Sequence, residues 1–340
     1  MQNKSFDVAI AVGKDMAQSI FSACDIDFLS SFAKINPLNE LPKDMTTEFM
    51  AQILKNADAC ITCWGTPSFS EEMLEQAEKL RLIAHSAGSI KNLIPKTYWE
   101  TGTRRITSNA ALIAEDVAQT VLAFILCSLR GLWGFAKSTK NGQWSGGEAS
   151  LFATRSLDNL NVGLVGGSHV GKAVIKVLKP YNCNIKLYDP YISPIEANEL
   201  GVTLSELDDL IATSDIISLH APGTDECLKM INSKNAPLIK DGALFINTAR
   251  GILVDEPSLI KELETGRFFA CIDVTDPEPP AIGHPFRSME NVILTPHIAG
   301  GHTADVRKSL GRNSIKKVFK YLHTGILDHE VRQEMLDRMA

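Results

Sequence analysis

Short apolar runs and amphipathic helical segments alternate along the chain. Helical spacing is clear, for example, over residues 205–212 and 256–265, and Gly266 follows the second as a helix terminator. Most apolar runs are continuous rather than alternating, which is typical of parallel strands in a sheet covered on both faces. The runs predicted as strands are residues 7–12, 59–63, 80–84, 161–165, 184–188, 215–219, 243–247, 270–274 and 291–294. This order predicts an α/β fold with doubly wound parallel sheets.

A long apolar segment between Ala114 and Lys140 is predicted to form one helix. A helix with so few polar positions must be buried, either in a core or at a subunit interface. Its apolar run at residues 121–127 is shorter than the roughly 20 residues that span a bilayer, so no membrane helix is predicted. Residues 141–160 are predicted as the longest loop, and long loops in compact domains are usually functional.

The length of 340 residues suggests two domains. A net charge of −6 argues against nucleic acid or an anionic membrane surface as the main partner, because both attract basic faces. The seven cysteines lie among apolar neighbours and no secretory signal is recognisable, which predicts a cytoplasmic protein with reduced thiols. Cys60 and Cys63 have the spacing of a redox or zinc motif, but a strand would turn them to opposite faces; no metal site is predicted.

The sharpest local motif is a glycine-rich turn between a predicted strand and a predicted helix. Such a turn brings the N–H groups of a helix N-terminus to a dinucleotide pyrophosphate. Asp189 follows Gly171 by 18 residues, close to the spacing of the carboxylate that binds the ribose hydroxyls. Because it would repel a 2′-phosphate, NAD is favoured over NADP. The candidate cofactor-binding residues of the turn are Gly166, Gly167, Ser168, His169, Val170 and Gly171.

Ser168 stands where the motif has its middle glycine, and Gly167 is expected to supply the flexibility that is lost. The turn alone also fits an ordinary connection between a strand and a helix. The strand before it and Asp189 after it make nucleotide binding the stronger interpretation.

Three further segments follow at predicted strand ends, namely residues 246–251 (INTARG), 273–279 (DVTDPEP) and 295–300 (TPHIAG). With residues 86–88 (SAG), the glycine-rich turn and residues 219–222 (LHAP), they resemble the D-isomer-specific 2-hydroxyacid dehydrogenase family over nearly the whole chain.

That resemblance implies two domains. A Rossmann NAD-binding domain would comprise residues 109–300. A flavodoxin-like substrate domain would combine residues 1–108 with residues 301–340.

The resemblance also implies a catalytic set. Arg250 would hold the carboxylate and keto oxygen of a 2-oxo acid, His297 would be the acid and base, and Glu278 would pair with His297. A planar guanidinium suits a carboxylate beside a carbonyl, an imidazole exchanges protons near neutral pH, and a carboxylate fixes the imidazole tautomer. Singly, each residue also fits a surface turn or strand end; their order at three strand ends favours catalysis.

Further residues are implied to contact substrate or cofactor. Asp273 would lie beside the nicotinamide carboxamide, and the backbone of Ala87 and Gly88, with Ser86, would meet the substrate carboxylate. The remaining residues implied to line the NAD site are His220, Ala221, Pro222, Thr248 and Ala249.

Some residues depart from the family's pattern or carry no assigned role. Lys91 would either meet an extra anionic group of the substrate or point into water, and the second orientation is preferred. Trp64 would present a bulky wall to the substrate's side chain. His284, His323 and His329 are predicted at the surface.

A homodimer is expected, with the helix after Ala114 and the loop of Trp144 at its interface, although a helix buried within one chain also fits. An NAD(H)-sensing regulatory dimer is the alternative function, against which the intact catalytic set argues. A formate dehydrogenase of the same superfamily would carry glutamine in place of Glu278.

Overall fold

The computed structural model describes residues 6–36, 40–100, 102–144 and 154–339. Of the loop predicted at residues 141–160, residues 145–153 lie outside these ranges. The chain divides into two compact units. The first combines Met1–Ile113 with Gly301–Met339, and the second is the continuous stretch Ala114–Gly300.

The first unit is built on a six-stranded sheet. Its strands are β1 (Phe6–Ala11), β2 (Ala33–Ile35), β3 (Ala59–Thr62), β4 (Leu82–His85), β5 (Arg105–Thr107) and β13 (Glu330–Val331). They lie in the order β2-β1-β3-β4-β5-β13, and all pairs are parallel except β5 with β13. The order 2-1-3-4-5 of the parallel strands is that of flavodoxin-like folds, which confirms the predicted architecture. β3 and β4 are buried throughout, as their continuous apolar sequence predicts.

The helices of the first unit are α1 (Lys14–Ile20), α2 (Ala23–Phe32), α3 (Thr47–Leu54), α4 (Glu71–Gln76) and α11 (Ala304–Thr324). α2 begins with a reciprocal capping box, in which the Ser22 hydroxyl accepts from Asp25 N and the Asp25 carboxylate accepts from Ser22 N. α11 packs tightly on α1, since a Cβ at Gly311 would lie 2.1 Å from the carbonyl oxygen of Ile20.

The second unit is built on a seven-stranded, entirely parallel sheet. Its strands are β6 (Asn161–Val165), β7 (Asn184–Tyr188), β8 (Thr203–Leu204), β9 (Ile216–Leu219), β10 (Leu244–Asn247), β11 (Phe269–Ile272) and β12 (Val292–Leu294). They lie in the order β8-β7-β6-β9-β10-β11-β12. This is the Rossmann order 3-2-1-4-5-6 with one strand added at the edge, so the Rossmann prediction is also confirmed.

The remaining helices are α5 (Ala110–Leu129), α6 (Leu132–Lys140), α7 (His169–Leu178), α8 (Pro194–Leu200), α9 (Leu207–Thr213) and α10 (Glu256–Glu264). α5 and α6 replace the single helix predicted between Ala114 and Lys140. The break falls at Gly131, whose φ of +63° is left-handed and cannot continue a right-handed helix.

α5 is also longer than the sequence-based prediction assumed, since that prediction considered only the apolar run at residues 121–127. By length and composition its 20 residues would be able to cross a membrane, so the prediction that the segment is too short is wrong. The core helix of a globular protein meets the same criterion. In this structure Val117, Val121 and Ile125 of α5 are buried.

Candidate active site

The predicted site segments of the second unit all follow strand ends of its parallel sheet. Asp189 follows β7, His220 follows β9, Arg250 comes shortly after β10, Asp273 follows β11, and His297 comes shortly after β12. Because the strands are parallel, these positions share one edge of the sheet with the glycine-rich turn after β6. Ligands of doubly wound folds bind at this edge.

The glycine-rich turn depends on close backbone approaches. Gly166 has a φ of +106°, and a Cβ there would lie 2.6 Å from Ala221 N. A Cβ at Gly171 would lie 2.0 Å from the carbonyl oxygen of Gly166. Gly167 has no left-handed φ, but a Cβ there would lie 2.9 Å from Ile192 Cγ1. The expectation that Gly167 supplies the turn's flexibility is therefore wrong: Gly166 does, and Gly167 permits close packing.

Ser168 is the N-cap of α7. Its φ of −63° is open to any residue, so this position does not require glycine. Its hydroxyl accepts from Gly171 N at 3.5 Å and donates to the carbonyl oxygen of His220 at 2.9 Å. The serine thus ties the turn to the end of β9. His169 and Val170 form the start of α7, with His169 exposed and Val170 half-buried.

Asp189 is bonded to the turn by its carboxylate. One oxygen accepts from Gly167 N at 2.6 Å and the other from Tyr191 N at 2.8 Å. A carboxylate oxygen accepts two hydrogen bonds, so both retain capacity for a further donor such as a ribose hydroxyl.

Polar atoms of His220 and Thr248 are buried at this edge without a hydrogen-bond partner among the described residues. These atoms are the two ring nitrogens of His220 and the hydroxyl oxygen of Thr248. Burial lowers the pKa of His220 to about 3, so its ring is neutral at physiological pH. A buried polar atom left unpaired costs about 1–3 kcal/mol, which indicates a ligand that supplies the missing partner. With the glycine cradle, these residues fit a bound dinucleotide; Ala221 is buried and Pro222 half-buried beside them.

Arg250 extends from a turn that Asn247 organises. The Asn247 side chain accepts from Ala249 N at 3.1 Å and donates to the carbonyl oxygen of Arg250 at 3.0 Å. A Cβ at Gly223 would lie 3.0 Å from Arg250 Cγ, so this glycine leaves space for the arginine. Burial lowers the pKa of Arg250 while the charge of Glu278 raises it, and the guanidinium stays protonated.

His297 and Glu278 form a direct pair, with 2.6 Å between His297 Nδ1 and Glu278 Oε1. Their side chains are 44% and 42% exposed, which leaves them accessible to a small molecule. Since Nδ1 is engaged by the carboxylate, Nε2 is the ring nitrogen available for proton exchange. His297 has a φ of +53°, a left-handed conformation that is strained for a residue with a side chain and is frequent at functional sites.

Asp273 holds the segment that carries His297. Its backbone oxygen accepts from His297 N at 2.9 Å. Its buried carboxylate accepts from the hydroxyl of Thr295 at 2.6 Å and from the backbone N–H groups of Ile298 and Ala299, each at 2.9 Å. These bonds fix the strained backbone of His297. The expected contact of Asp273 with the nicotinamide carboxamide stays a prediction.

Glu256 and His284, which the sequence did not identify as site residues, support the loop of Glu278. Glu256 accepts from Asp276 N at 2.9 Å, and its other oxygen lies 3.0 Å from His284 Nε2. The side chains of Glu256 and His284 are only 10% and 15% exposed, so the prediction of His284 as a surface residue is wrong. A Cβ at Gly251 would lie 2.1 Å from the carbonyl carbon of Thr275, so the two loops also interlock through their backbones.

The substrate residues predicted at 86–88 follow β4 in the first unit. Ser86 and Ala87 are buried and Gly88 is half-buried. Lys91 is half-buried. Trp64, 38% exposed, packs against Gly301, where a Cβ would lie 2.5 Å from the indole. The substrate roles of these residues stay predictions.

Comparison with known families shows the class to which this fold and site belong. Residues 122–299 match the family model described as D-isomer specific 2-hydroxyacid dehydrogenase, NAD binding domain. The chain belongs to this family, and its second unit contains the family's NAD-binding domain.

Relatives within the family carry several activities. The chain is 31% identical over 287 residues to D-3-phosphoglycerate dehydrogenase of Methanocaldococcus jannaschii, covering 83% of this chain and 53% of that protein. It is 29% identical over 293 residues to hydroxypyruvate reductase of Thermotoga maritima, covering 84% of this chain and 93% of that protein. The chain thus spans about half the length of the phosphoglycerate dehydrogenases it matches and nearly the whole of the reductase.

Among solved structures, a phosphoglycerate oxidoreductase from Rhizobium etli superposes with a TM-score of 0.78 at 25% identity. The superposition covers 96% of this chain and 99% of that one.

Proposed function

We propose that the protein interconverts a small 2-oxo acid and the corresponding D-2-hydroxy acid with NAD(H). The observation that supports this most directly is the His297–Glu278 pair, 2.6 Å apart, within electrostatic reach of Arg250 at the carboxyl edge of the NAD-binding sheet. Glyoxylate, hydroxypyruvate and their phosphorylated analogues are the substrate class suggested by the relatives' activities.

In this proposal the residues divide the work in a definite way. The guanidinium of Arg250 binds the substrate carboxylate and orients the adjacent carbonyl. Nε2 of His297 delivers a proton to the carbonyl oxygen during reduction and removes it from the hydroxyl during oxidation. Glu278 fixes the imidazole tautomer and balances the charge of the imidazolium. The backbone of Ala87 and Gly88 keeps the substrate-binding role that the family resemblance implies for it.

The cofactor is NAD, which when bound supplies or accepts the hydride. The residues that would hold it are the glycine-rich turn, Asp189 at the ribose, and His220 and Thr248, whose buried polar atoms have no partner among the described residues. Asp189 supports NAD over NADP, since its charge would repel a 2′-phosphate.

A panel of 2-oxo acids tests the function. Purified protein and NADH would be assayed with glyoxylate, hydroxypyruvate, phenylpyruvate and a phosphorylated 2-oxo acid. We expect NADH oxidation with at least one, and a D-hydroxy acid as the product by chiral chromatography. Absence of turnover across the panel, or an L product, contradicts the proposal.

We also propose that the protein is a homodimer. α6 has no buried residue among those described, and Leu132 on it is 51% exposed. Trp144, just beyond α6, is 92% exposed, and a cavity of about 310 Å³ beside the helix is lined by residues such as Trp133 and Met289. Exposed apolar surface of this kind is typical of subunit interfaces.

Light scattering tests the homodimer. The native protein should give the mass of a dimer, and Leu132→Lys should shift this mass toward that of the monomer. A native protein with the mass of a monomer contradicts the proposal.

A cytoplasmic location is proposed from the state of the thiols. All seven cysteines are free, and burial raises the pKa of Cys60 and Cys63 to about 12, so both are protonated packing residues. Free thiols are typical of reducing compartments. Fractionation of cells that express the protein tests this location.

A further inference from the structure

Lys317 on α11 is a buried lysine of the first unit. Its side chain is 7% exposed, and none of the described carboxylates forms an ion pair with it. Asp328, the charge that favours its protonated form, is itself paired with Lys320 at 2.6 Å. A buried ammonium without an ion-pair partner is costly, so its presence calls for a specific role.

The ammonium donates to two acceptors just beyond β5. Lys317 Nζ lies 2.8 Å from the carbonyl oxygen of Ser108 and 2.9 Å from Asn109 Oδ1. The amide of Asn109 in turn donates to the hydroxyl of Ser314 at 3.2 Å and to the carbonyl oxygen of Leu310 at 2.9 Å. Asn109 is thus held on α11 by every polar atom of its side chain.

From Asn109 and Ser314 the network reaches the loop after β4. Asn109 N donates to the carbonyl oxygen of Ala87 at 2.9 Å, and the Ser86 hydroxyl donates to that of Ser314 at 2.8 Å. His85 lies 2.9 Å from the Thr62 hydroxyl and is also hydrogen-bonded to the backbone of Ser89. The backbone of residues 86–89, called here the 86–89 loop, is therefore fixed by side chains beneath it.

We propose that Lys317 is a positioning residue for substrate binding: its buried ammonium holds Asn109 against the 86–89 loop and places positive charge beneath the backbone that receives the carboxylate of a 2-oxo acid. This inference rests on the proposed function and adds to it a residue outside the catalytic set. The pKa of Lys317 is lowered by burial to about 8, so the group is mainly charged at pH 7. A fixed charge in a low-dielectric setting attracts an anion more strongly than an exposed lysine.

Two variants separate the charge from the hydrogen bonds. Lys317→Gln removes the charge but keeps amide donors for Ser108 and Asn109, whereas Lys317→Met removes both. Lys316→Met is the matched control, since Lys316 is the adjacent lysine of α11 and is exposed. Measurements are kcat and KM for the 2-oxo acid, Kd for NADH, Kd for the unreactive analogue oxamate in the presence of NADH, and Tm.

We expect Lys317→Gln and Lys317→Met to raise KM for the 2-oxo acid and Kd for oxamate by about tenfold, the size expected for one buried unit charge. Kd for NADH should stay at the wild-type value in both Lys317 variants. In Lys316→Met, KM for the 2-oxo acid and Kd for oxamate should also stay at wild-type values. Tm of Lys317→Gln should change by no more than about 4 °C, because loss of a costly buried charge offsets weaker hydrogen bonds.

If the wild type turns over 2-oxo acids, two results overturn this inference and leave the proposed function intact. One is an unchanged KM in Lys317→Met. The other is a normal KM in Lys317→Gln with a raised one in Lys317→Met, which would leave hydrogen bonding as the whole role. A wild type that neither turns over 2-oxo acids nor binds oxamate overturns the proposed function, and this inference with it.

Discussion

Each unit has a buried histidine at the carboxyl end of a parallel strand, and the two histidines differ in their partners. His85, at the end of β4, is bonded to Thr62 and to the backbone of Ser89. His220, directly after β9, has no partner on either ring nitrogen among the described residues. In the first unit, the hydrogen-bonding groups of the histidine are satisfied by other residues of the same unit. In the second unit, the ring nitrogens of the histidine are left for a ligand to pair. At these two strand ends, the unpaired ring nitrogens of His220 and the paired ring of His85 distinguish the cofactor edge from the structurally completed one.

The largest expected difference between the units is in catalysis, which the proposal concentrates in the second. His297→Ala should lower kcat about 10²–10⁴-fold, the usual contribution of a general acid or base. The Kd for NADH should hardly change, because His297 is separate from the nucleotide turn. Steady-state kinetics and NADH fluorescence titration measure the two effects.

His302→Ala is the control, since His302 is an exposed histidine a few residues along. Equal loss of turnover and NADH binding in His297→Ala would show that His297 is structural and would contradict the proposed role.

Acid should destabilise both units through their buried histidines. Burial lowers the pKa of His85 to about 4 and that of His220 to about 3. Between these values and about 6.5 the unfolded chain binds protons that the folded chain does not, so stability falls as pH decreases through this window. His85 alone accounts for about 3 kcal/mol by pH 4.

Urea unfolding at pH 7, 5.5 and 4.5 measures this dependence in the wild type, His85→Asn and His220→Asn. Each variant should lose part of the pH slope, and only His220→Asn should also weaken NADH binding. If His85→Asn and His220→Asn weakened NADH binding equally, His220 would have no special role in binding the cofactor.

Cofactor choice should depend on Asp189 alone among nearby acids. Asp189→Ser should reduce the preference for NADH over NADPH about 10–100-fold, because the charge that repels a 2′-phosphate is gone. The ratio of kcat/KM for the two cofactors measures it, with the exposed Glu199→Ser as control. A wild-type preference for NADPH would refute the role given to Asp189.

The smallest expected effect concerns the support of Glu278. Glu256→Gln keeps one acceptor for Asp276 N but disturbs the bond to His284, so kcat should fall about tenfold, less than on direct loss of an acid or base. KM for NADH should be unchanged, and Glu264→Gln, exposed on the same helix, should behave as wild type. A fall in Tm with normal kcat would make Glu256 a purely structural residue.

The sequence predicted both sheets because their central strands are long, continuous apolar runs. β2, β5, β8 and β13 were missed, since strands of two or three residues carry little periodicity, although β12, with three residues, was predicted. Gly131 carried the signal that divides α5 from α6, but a single glycine inside a helical pattern is usually tolerated.

In the site, local motifs revealed Glu278 and His297 because the residue types and strand ends are informative by themselves. The supporting contacts were not predictable, because they join distant positions. Ser86 and Ser314 are 228 residues apart, and Asn109 and Lys317 are 208 apart. Such pairs follow from topology, which one sequence does not specify.

The discontinuity of the first unit also bears on how the protein is made. Its strands β1 to β5 are synthesised first, but α11, which carries Ser314 and Lys317, emerges only after the whole second unit. The second unit has all its strands in one continuous stretch and is able to close its sheet on the ribosome, as domains generally do. The first unit must wait, with Asn109 and the 86–89 loop unpaired, until α11 has been synthesised. The first unit therefore begins synthesis before the second unit but completes its fold after it.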